Sequence, residues 1–438
     1  MTVLKKYKNK KIAIYGMGIT GISAAKILNR LKAKVYCWDD KKNIRSNIKK
    51  NFNISKFWEK KFILDYIVIS PGIDINKSKI RNFLKKNSKK IITDLDLFFD
   101  LNKNAKVISI TGTNGKSTTC KIIEKILKKA NYKVKTLGNI GNPVLSFHKS
   151  KKKYVFILEI SSYQLEYSKL FRSKHAAILN ISPDHLDRHK NINNYIKIKS
   201  KLFFAQKKTD YSYINLDNKY SKFIKKIFIK NKIESKLISI NEKNFIFLTK
   251  KVKNKYFNNK GNMQNLFFAY KIAKDFDIKD KVIIQAINNF KGLAHRQEII
   301  FSAEKLICIN DSKATSFDAS LQSLTGHNKI YWIVGGIPKK QDRFYLKKLK
   351  KNIIKAYIIG NRVSFFKNQL KKNIPYKVSK NIKRAVNDIL KDLKSNKYFK
   401  STILLSPAAA SFDQFQNFED RGNYFKNLII KKIKKNNV

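Results

Sequence analysis

The sequence predicts an α/β protein built on three doubly wound, mainly parallel sheets. Short β-branched runs alternate with segments of helical period along most of the chain. The 438 residues suffice for about three buried cores, and two glycine-rich turns each join a strand-like run to a helical one. Hydrophobic residues at 43% and aromatics at 12% supply enough apolar surface to offset ordering entropy, which excludes a largely disordered chain and a single small binding module.

In the first series, residues 11–15, 33–38 and 64–70 read as strands and 21–31 as the first helix. The second has strands at 106–110, 154–160 and 176–181 and a helix at 116–130. The third has strands at 306–310, 331–335, 356–360 and 402–406. The expected domains are 1–95, 96–297 and 298–438, with no Pro/Gly/Ser-rich linker between them and no internal repeat. Lysine-rich stretches such as 221–232 read as exposed helices or loops.

Lysine and arginine total 95 against 30 acidic residues, a net charge of +65 that would ordinarily suggest nucleic acid or an anionic membrane as partner. Only ten of the 95 are arginine, the better fork for bases and phosphates, and the lysines are spread evenly. A solvated lysine coat follows, with no specific nucleic-acid or membrane partner. Cys37, Cys120 and Cys308 lie far apart, which fits a reducing compartment and neither a disulfide framework nor a zinc knuckle. The basic stretch 5–11 before apolar 12–25 imitates a secretion signal, but Gly16, Gly18 and Gly21 interrupt it, and no run reaches membrane-span length. A cytoplasmic protein is expected.

Two turns carry nucleotide chemistry. Thr111-Gly112-Thr113-Asn114-Gly115-Lys116-Ser117-Thr118 joins a strand to a helix. Its backbone N–H groups can cradle phosphate, Lys116 can neutralise terminal phosphate oxygens, and the Ser117 hydroxyl can reach Mg²⁺. It departs from the usual GxxxxGK[ST] because Ile110 stands at the first glycine position. Gly16-Met17-Gly18-Ile19-Thr20-Gly21 also follows a strand, with Asp39 and Asp40 after the next one. That loop alone allows a nicotinamide cofactor, another nucleotide or a structural turn; beside a separate ATP loop, a nucleotide-bearing substrate fits better. Ser70-Pro71-Gly72 ends a further strand and can add a turn at the same crevice.

Glu159 ends an apolar strand and precedes Ser161-Ser162-Tyr163-Gln164-Leu165-Glu166, which puts a carboxylate near the phosphate loop as a candidate Mg²⁺ ligand. The loop Asp184-His185-Leu186-Asp187-Arg188-His189 gathers acids, imidazoles and a guanidinium after another strand. Mg²⁺ prefers oxygen, so His185 is the unusual member of that set.

Together the phosphate loop, the Glu159 to Glu166 segment and the Asp184 to His189 loop resemble the Mur ligases of peptidoglycan synthesis. Folylpolyglutamate synthase shares part of the set. The stretch Leu405-Ser406-Pro407-Ala408-Ala409-Ala410-Ser411-Phe412-Asp413-Gln414-Phe415, with Asn417-Phe418 and Arg421-Gly422, resembles the branch that adds D-glutamate, and the Asp-Asn-Pro-Arg motif of the diamino-acid-adding branch is absent. The resemblance implies a Rossmann-like N-terminal domain for the UDP-substrate, a central P-loop ATPase domain and a Rossmann-like C-terminal domain for the amino acid. It implies a cytoplasmic enzyme, expected to be monomeric, that ligates D-glutamate to UDP-N-acetylmuramoyl-L-alanine through an acyl phosphate, using ATP and two Mg²⁺ ions.

By the same resemblance Ile19, Thr20, Asp39, Ser70, Pro71, Gly72, Asn139 and His185 hold the UDP-substrate. Residues Gly112 to Thr118, Asn262, Asn265, Arg296 and Asp311 hold ATP; Gly261 stands where a histidine usually precedes Asn262. Ser117, Glu159, His185 and a carbamylated Lys199 take the metal, and Thr315, Lys339, Ser411 and Phe418 take D-glutamate. Lys116, Lys199, His185 and Arg296 become the catalytic set. Folylpolyglutamate synthase, a nucleic-acid-binding ATPase and a dehydrogenase are the rival classes, separable by a pteroate substrate, a salt titration of DNA binding and NADH fluorescence.

Overall fold

The structure, a computed structural model, describes residues 3–139, 141–147, 153–339, 342–395 and 400–436. The chain folds into two compact units, Met1–Phe290 and Lys291–Val438.

The first unit holds two sheets. In one, β1 (Lys11–Tyr15), β2 (Lys34–Trp38), β3 (Tyr66–Ile69) and β4 (Ile91–Ile92) are parallel in the order β2-β1-β3-β4. The chain therefore reverses its winding between β1 and β3, and the crevice above that switch is where ligands of such sheets collect. The helix Ile19–Arg30 turns Ala24, Ala25, Ile27 and Leu28 into the core. It starts so close to β1 that a Cβ on Gly21 would lie 2.0 Å from the Gly16 carbonyl oxygen.

The second sheet comprises β5 (Lys106–Thr111), β6 (Val134–Gly138), β7 (Val155–Glu159), β8 (His175–Ile178), β9 (Tyr211–Asn215) and β10 (Lys236–Ile240). All pair in parallel, in the order β10-β9-β8-β5-β7-β6. β5, β7 and β8 are buried at nearly every position, which explains their largely apolar sequences. Residues 221–232 contain a true helix, Ser221–Lys230, whose Ile224, Ile227 and Phe228 are buried while its lysines face out.

The second unit carries one sheet. β11 (Glu298–Ser302) pairs antiparallel with β12 (Leu306–Asn310), and β13 (Ile330–Gly335), β14 (Ile353–Ile359), β15 (Tyr376–Lys380) and β16 (Ser401–Leu405) complete it in the order β11-β12-β16-β13-β14-β15. Trp332 is fully buried and its indole N–H donates to the Ser406 carbonyl at 2.7 Å. Cys37, Cys120 and Cys308 are buried free thiols, and among the described residues no helix is long and apolar enough to cross a membrane.

Candidate active site

β5 delivers the phosphate loop to the centre of its sheet, between β7 and β8. Asn180, just past β8, fixes the loop's shape: its side-chain oxygen accepts from Asn114 N at 2.8 Å and its side-chain nitrogen donates to Asn114 O at 3.0 Å. Thr113 N donates to Asn180 O at 2.9 Å, and the Thr113 hydroxyl exchanges hydrogen bonds with the Ser182 carbonyl and N–H at 3.2 and 3.0 Å. The loop is thus shaped by its own protein neighbours, so little ordering is left for a nucleotide to impose. The helix Lys116–Lys129 starts at Gly115, and its first N–H groups lack intrahelical partners, an arrangement that favours an anion. Lys116 Nζ folds back onto the Gly112 and Thr113 carbonyls at 2.9 and 2.8 Å. Ser117 and Thr118 are buried at the same helix start.

Asn262 and Asn265 lie buried on the helix Lys260–Lys274, Asn262 donating to the Tyr256 carbonyl at 2.9 Å. Asn265 reaches the phosphate loop: a Cβ on Gly115, whose φ is +85°, would meet the Asn265 side-chain oxygen at 2.1 Å. Gly115→Ala is therefore expected to cost about 1–3 kcal/mol of backbone strain and to push Asn265 aside, so both the denaturant midpoint and nucleotide affinity should fall together.

A second cluster adjoins the loop. Glu159 ends β7 in register with Ile110 of β5 and Gly138 of β6. It is 2% exposed; one oxygen accepts from the Asn139 amide at 3.1 Å, and the other is buried with no partner. Lys199, on the helix Ile192–Ser200, is also 2% exposed, and its Nζ donates to Thr111 Oγ1 at 3.2 Å and Gly112 O at 3.0 Å. Burial, and after it the Lys116 charge, holds the Lys199 amine well below the usual lysine range. A buried lysine under the phosphate loop and a Glu159 oxygen without a partner are groups that a cation or a covalent modification could engage.

His185 sits in left-handed backbone, φ 53°, ahead of the short helix Leu186–His189. Its Nδ1 lies 2.9 Å from the Tyr163 hydroxyl and its Nε2 lies 3.4 Å from an Asp184 oxygen, so ligation by this ring would displace one of these partners. Among the described residues no three His, Cys, Asp or Glu side chains stand close enough to hold a metal by themselves. Glu159 and His185 would need the Ser117 hydroxyl, phosphate oxygens or a modified Lys199 to complete a shell.

At the crevice of the first sheet, Ser70 donates to the Gly16 carbonyl at 2.6 Å and ties the two turns together. Both Asp39 oxygens are already engaged, accepting from Met17 N at 2.7 Å and Lys41 N at 2.9 Å, so Asp39 shapes the glycine loop. Ile19 is 76% exposed at the rim, with Thr20 and Pro71 half-buried and Gly72 open beside it. Asn139 N donates to the Glu159 carbonyl at 2.9 Å; its neighbour Ile140 lies outside the described residues.

In the second unit, the segments after β12, β13 and β16 leave the same sheet edge. Asp311 is buried, accepting from Ser323 Oγ at 2.6 Å, Ser406 Oγ at 3.0 Å and Gln297 N at 3.2 Å, and burial pushes its carboxyl up to about 6. Arg296, in the tight turn closed by its N–H to Leu293 O at 3.3 Å, lowers that value by its charge. Thr315 is half-buried, Lys339 exposed, and Phe418 begins the helix Phe418–Asn436. Ser411 is 2% exposed, and its hydroxyl has no partner.

Residues 10–92 match the Mur ligase MurD-like N-terminal domain and residues 110–282 the Mur ligase middle domain. The UDP-N-acetylmuramoylalanine–D-glutamate ligase of Rickettsia prowazekii is 38% identical over 97% of this chain and 99% of its own length. The chain belongs to the Mur ligase family. Among solved structures, UDP-N-acetylmuramate-alanine ligase of Thermotoga maritima shares the fold at a TM-score of 0.54, with 14% identity over 97% of this chain and 99% of that one. Mycobacterium tuberculosis folylpolyglutamate synthase shares it at 0.58, with 11% identity over 76% and 93%. The three-domain α/β architecture of the Mur ligases is therefore the fold of this chain.

Three residues to which the sequence assigns no role shape the site of this Mur ligase. Asn180 shapes the phosphate loop, and Tyr163 bonds His185. Arg188 donates to the Ile73 carbonyl at 2.5 Å and to Glu166 at 2.8 Å, joining the turn after Ser70-Pro71-Gly72 to the His185 loop. Their signal was the crowding of polar residues just past strand ends, where a chain without a ligand to hold would have little use for them.

Proposed function

We propose that this Mur ligase joins D-glutamate to UDP-N-acetylmuramoyl-L-alanine with ATP, the reaction for which its relatives are named, as a monomer in the cytoplasm. What carries this reading is the meeting, at the ends of β5 and β7, of a preformed phosphate loop, an unpartnered carboxylate oxygen on Glu159 and the buried Lys199 amine. The L-alanyl carboxylate takes the γ-phosphoryl group of ATP, releasing ADP. The D-glutamate amine then attacks the acyl carbon, loses a proton and displaces phosphate, leaving an amide.

Both reactants of the first step are anions, and Lys116 and Arg296 are the chain's own charges for offsetting that repulsion. Mg²⁺, two ions held by Ser117, Glu159, His185 and the modified Lys199, supplies the remaining positive charge at the phosphoryl oxygens when bound. Lys199 gains its negative charge when neutral Nζ attacks CO₂: an N–C bond forms and a proton leaves to solvent. Gly112 to Thr118, Asn262, Asn265 and Asp311 hold ATP; Ile19, Thr20, the turn at Ser70 to Gly72, Asn139 and His185 hold the UDP-substrate, with Asp39 shaping its loop. Thr315, Lys339, Ser411 and Phe418 receive D-glutamate, the Ser411 hydroxyl having a donor to spare. The three sheets then serve as UDP-substrate, ATP and amino-acid domains over residues 1–95, 96–297 and 298–438.

The test is ADP and phosphate release with Mg²⁺, ATP and UDP-N-acetylmuramoyl-L-alanine, one amino acid at a time. D-Glutamate is expected to give turnover that L-glutamate, D-aspartate and L-lysine do not. Turnover only with a pteroate and L-glutamate would transfer the chain to folylpolyglutamate synthesis, and no ADP with all three substrates present would sink the reading.

A further inference from the structure

One buried cation ties together three segments of the second unit. Arg421, in the first turn of the helix Phe418–Asn436, is 1% exposed. Among the described residues it forms no ion pair with a carboxylate. Its Nε donates to Ser312 Oγ at 3.0 Å, and its Nη2 donates to the carbonyls of Ser312 at 2.8 Å and Ala409 at 3.0 Å. Ser312 Oγ passes the connection on, donating to the Phe418 carbonyl at 2.8 Å. One guanidinium thus spans the loop after β12, the loop after β16 and the start of the last helix, the segments that bear Thr315, Ser411 and Phe418.

Stability alone is a poor account of this residue. Desolvating a guanidinium that has no ion pair is costly, the charge of Asp413 offsetting only part of it, and apolar side chains of similar volume commonly serve a core as well or better. Burial lowers the Arg421 pKa to about 10, so it stays a cation at neutral pH. Its Nη1 is buried without a partner, so the chain bears that cost with the group's bonding capacity incompletely used. What a planar fork provides that an apolar group does not is a fixed spacing between the oxygens it holds.

We propose that Arg421 is the positioning residue of the amino-acid pocket, setting the spacing of the segments that carry Thr315, Ser411 and Phe418 without touching the reacting atoms. This rests on the ligase reading above. Asp311 makes a parallel tie, between the same loop after β12 and Ser406, so loss of Arg421 loosens the pocket without releasing the loop.

The experiment compares wild type with Arg421→Gln, Arg421→Lys and Ser312→Ala in two assays. One traps the acyl phosphate formed from ATP and UDP-N-acetylmuramoyl-L-alanine without D-glutamate; the other measures steady-state ligation. The expected result is a rise of about 10- to 100-fold in KM for D-glutamate, the scale on which a misplacement of ~1 Å acts. Acyl-phosphate trapping and KM for ATP should stay at wild-type values, and lysine should fail to rescue because it lacks the fork. A D-glutamate KM unchanged in Arg421→Gln, or both assays falling in the same proportion, would overturn the proposal. Should Arg421→Gln not fold, Ser312→Ala gives the same reading, since it removes only the oxygen linking Arg421 to Phe418. A wild-type enzyme inert toward D-glutamate would instead remove the ligase reading itself.

Discussion

Lys199→Ala is expected to lower ligation by about 10²–10³-fold, the loss typical of removing one preorganised charged or polar group from a reaction centre. Short carboxylic acids such as acetate are expected to restore part of it. The lysine's surroundings explain both outcomes. Its Nζ is buried against Thr111 and Gly112, its pKa is driven well down by desolvation, and the Glu159 carboxylate raises that value only as a lesser influence. Desolvation works against the charged amine there, and a carbamate would turn the same side chain into an anion able to hold a cation. Bicarbonate should raise the activity of CO₂-depleted wild type and leave Lys199→Ala unaffected. Full activity in Lys199→Ala, or a loss that neither carboxylic acids nor bicarbonate distinguish from unfolding, would count against the carbamate.

The residues around Lys199 show how far a sequence can be read. The central strands β5, β7, β8, β12, β13 and β16 were legible because burial on both faces demands continuous apolar runs, which nothing in a lysine coat imitates. The edge strands β10, β11 and β15 were not, and neither were β6 and the buried β9. β10, β11 and β15 are half-exposed, and in Tyr376–Lys380 lysine occupies solvent-facing positions, so the alternation merges into the surrounding basic loops. The phosphate loop was legible since its glycines, lysine and hydroxyls are local in sequence. Lys199 was picked out only through family resemblance, because nothing in its neighbours announces that this lysine, among so many, is the one folded under the loop. Arg421 was quoted as a motif residue, but its bonds reach Ser312 and Ala409, and such long-range ties leave no periodic trace.

Lys116→Ala is expected to reduce ADP formation by about 10³-fold or more, the scale on which a single cation acts in phosphoryl transfer, and to leave the melting temperature nearly unchanged. In the structure the Gly112 and Thr113 carbonyls lose a donor when Nζ goes, whereas the clamps from Asn180 and Ser182 remain. The loop should therefore keep its shape and lose a charge. Lys116→Arg is expected to restore little, since a planar fork does not fit where a compact ammonium folds between two carbonyls of one turn. The decisive measurement omits D-glutamate, so that only the first chemical step is read, and follows ADP from ATP and UDP-N-acetylmuramoyl-L-alanine. A Lys116→Ala enzyme that still forms ADP at a rate near wild type would mean that the first step draws its positive charge from elsewhere, with Arg296 and Mg²⁺ as the remaining sources. A variant that fails only after the first step would contradict the placement of Lys116 at the triphosphate, because no later step in acyl-phosphate chemistry needs a cation at the γ-phosphoryl group before it has been transferred.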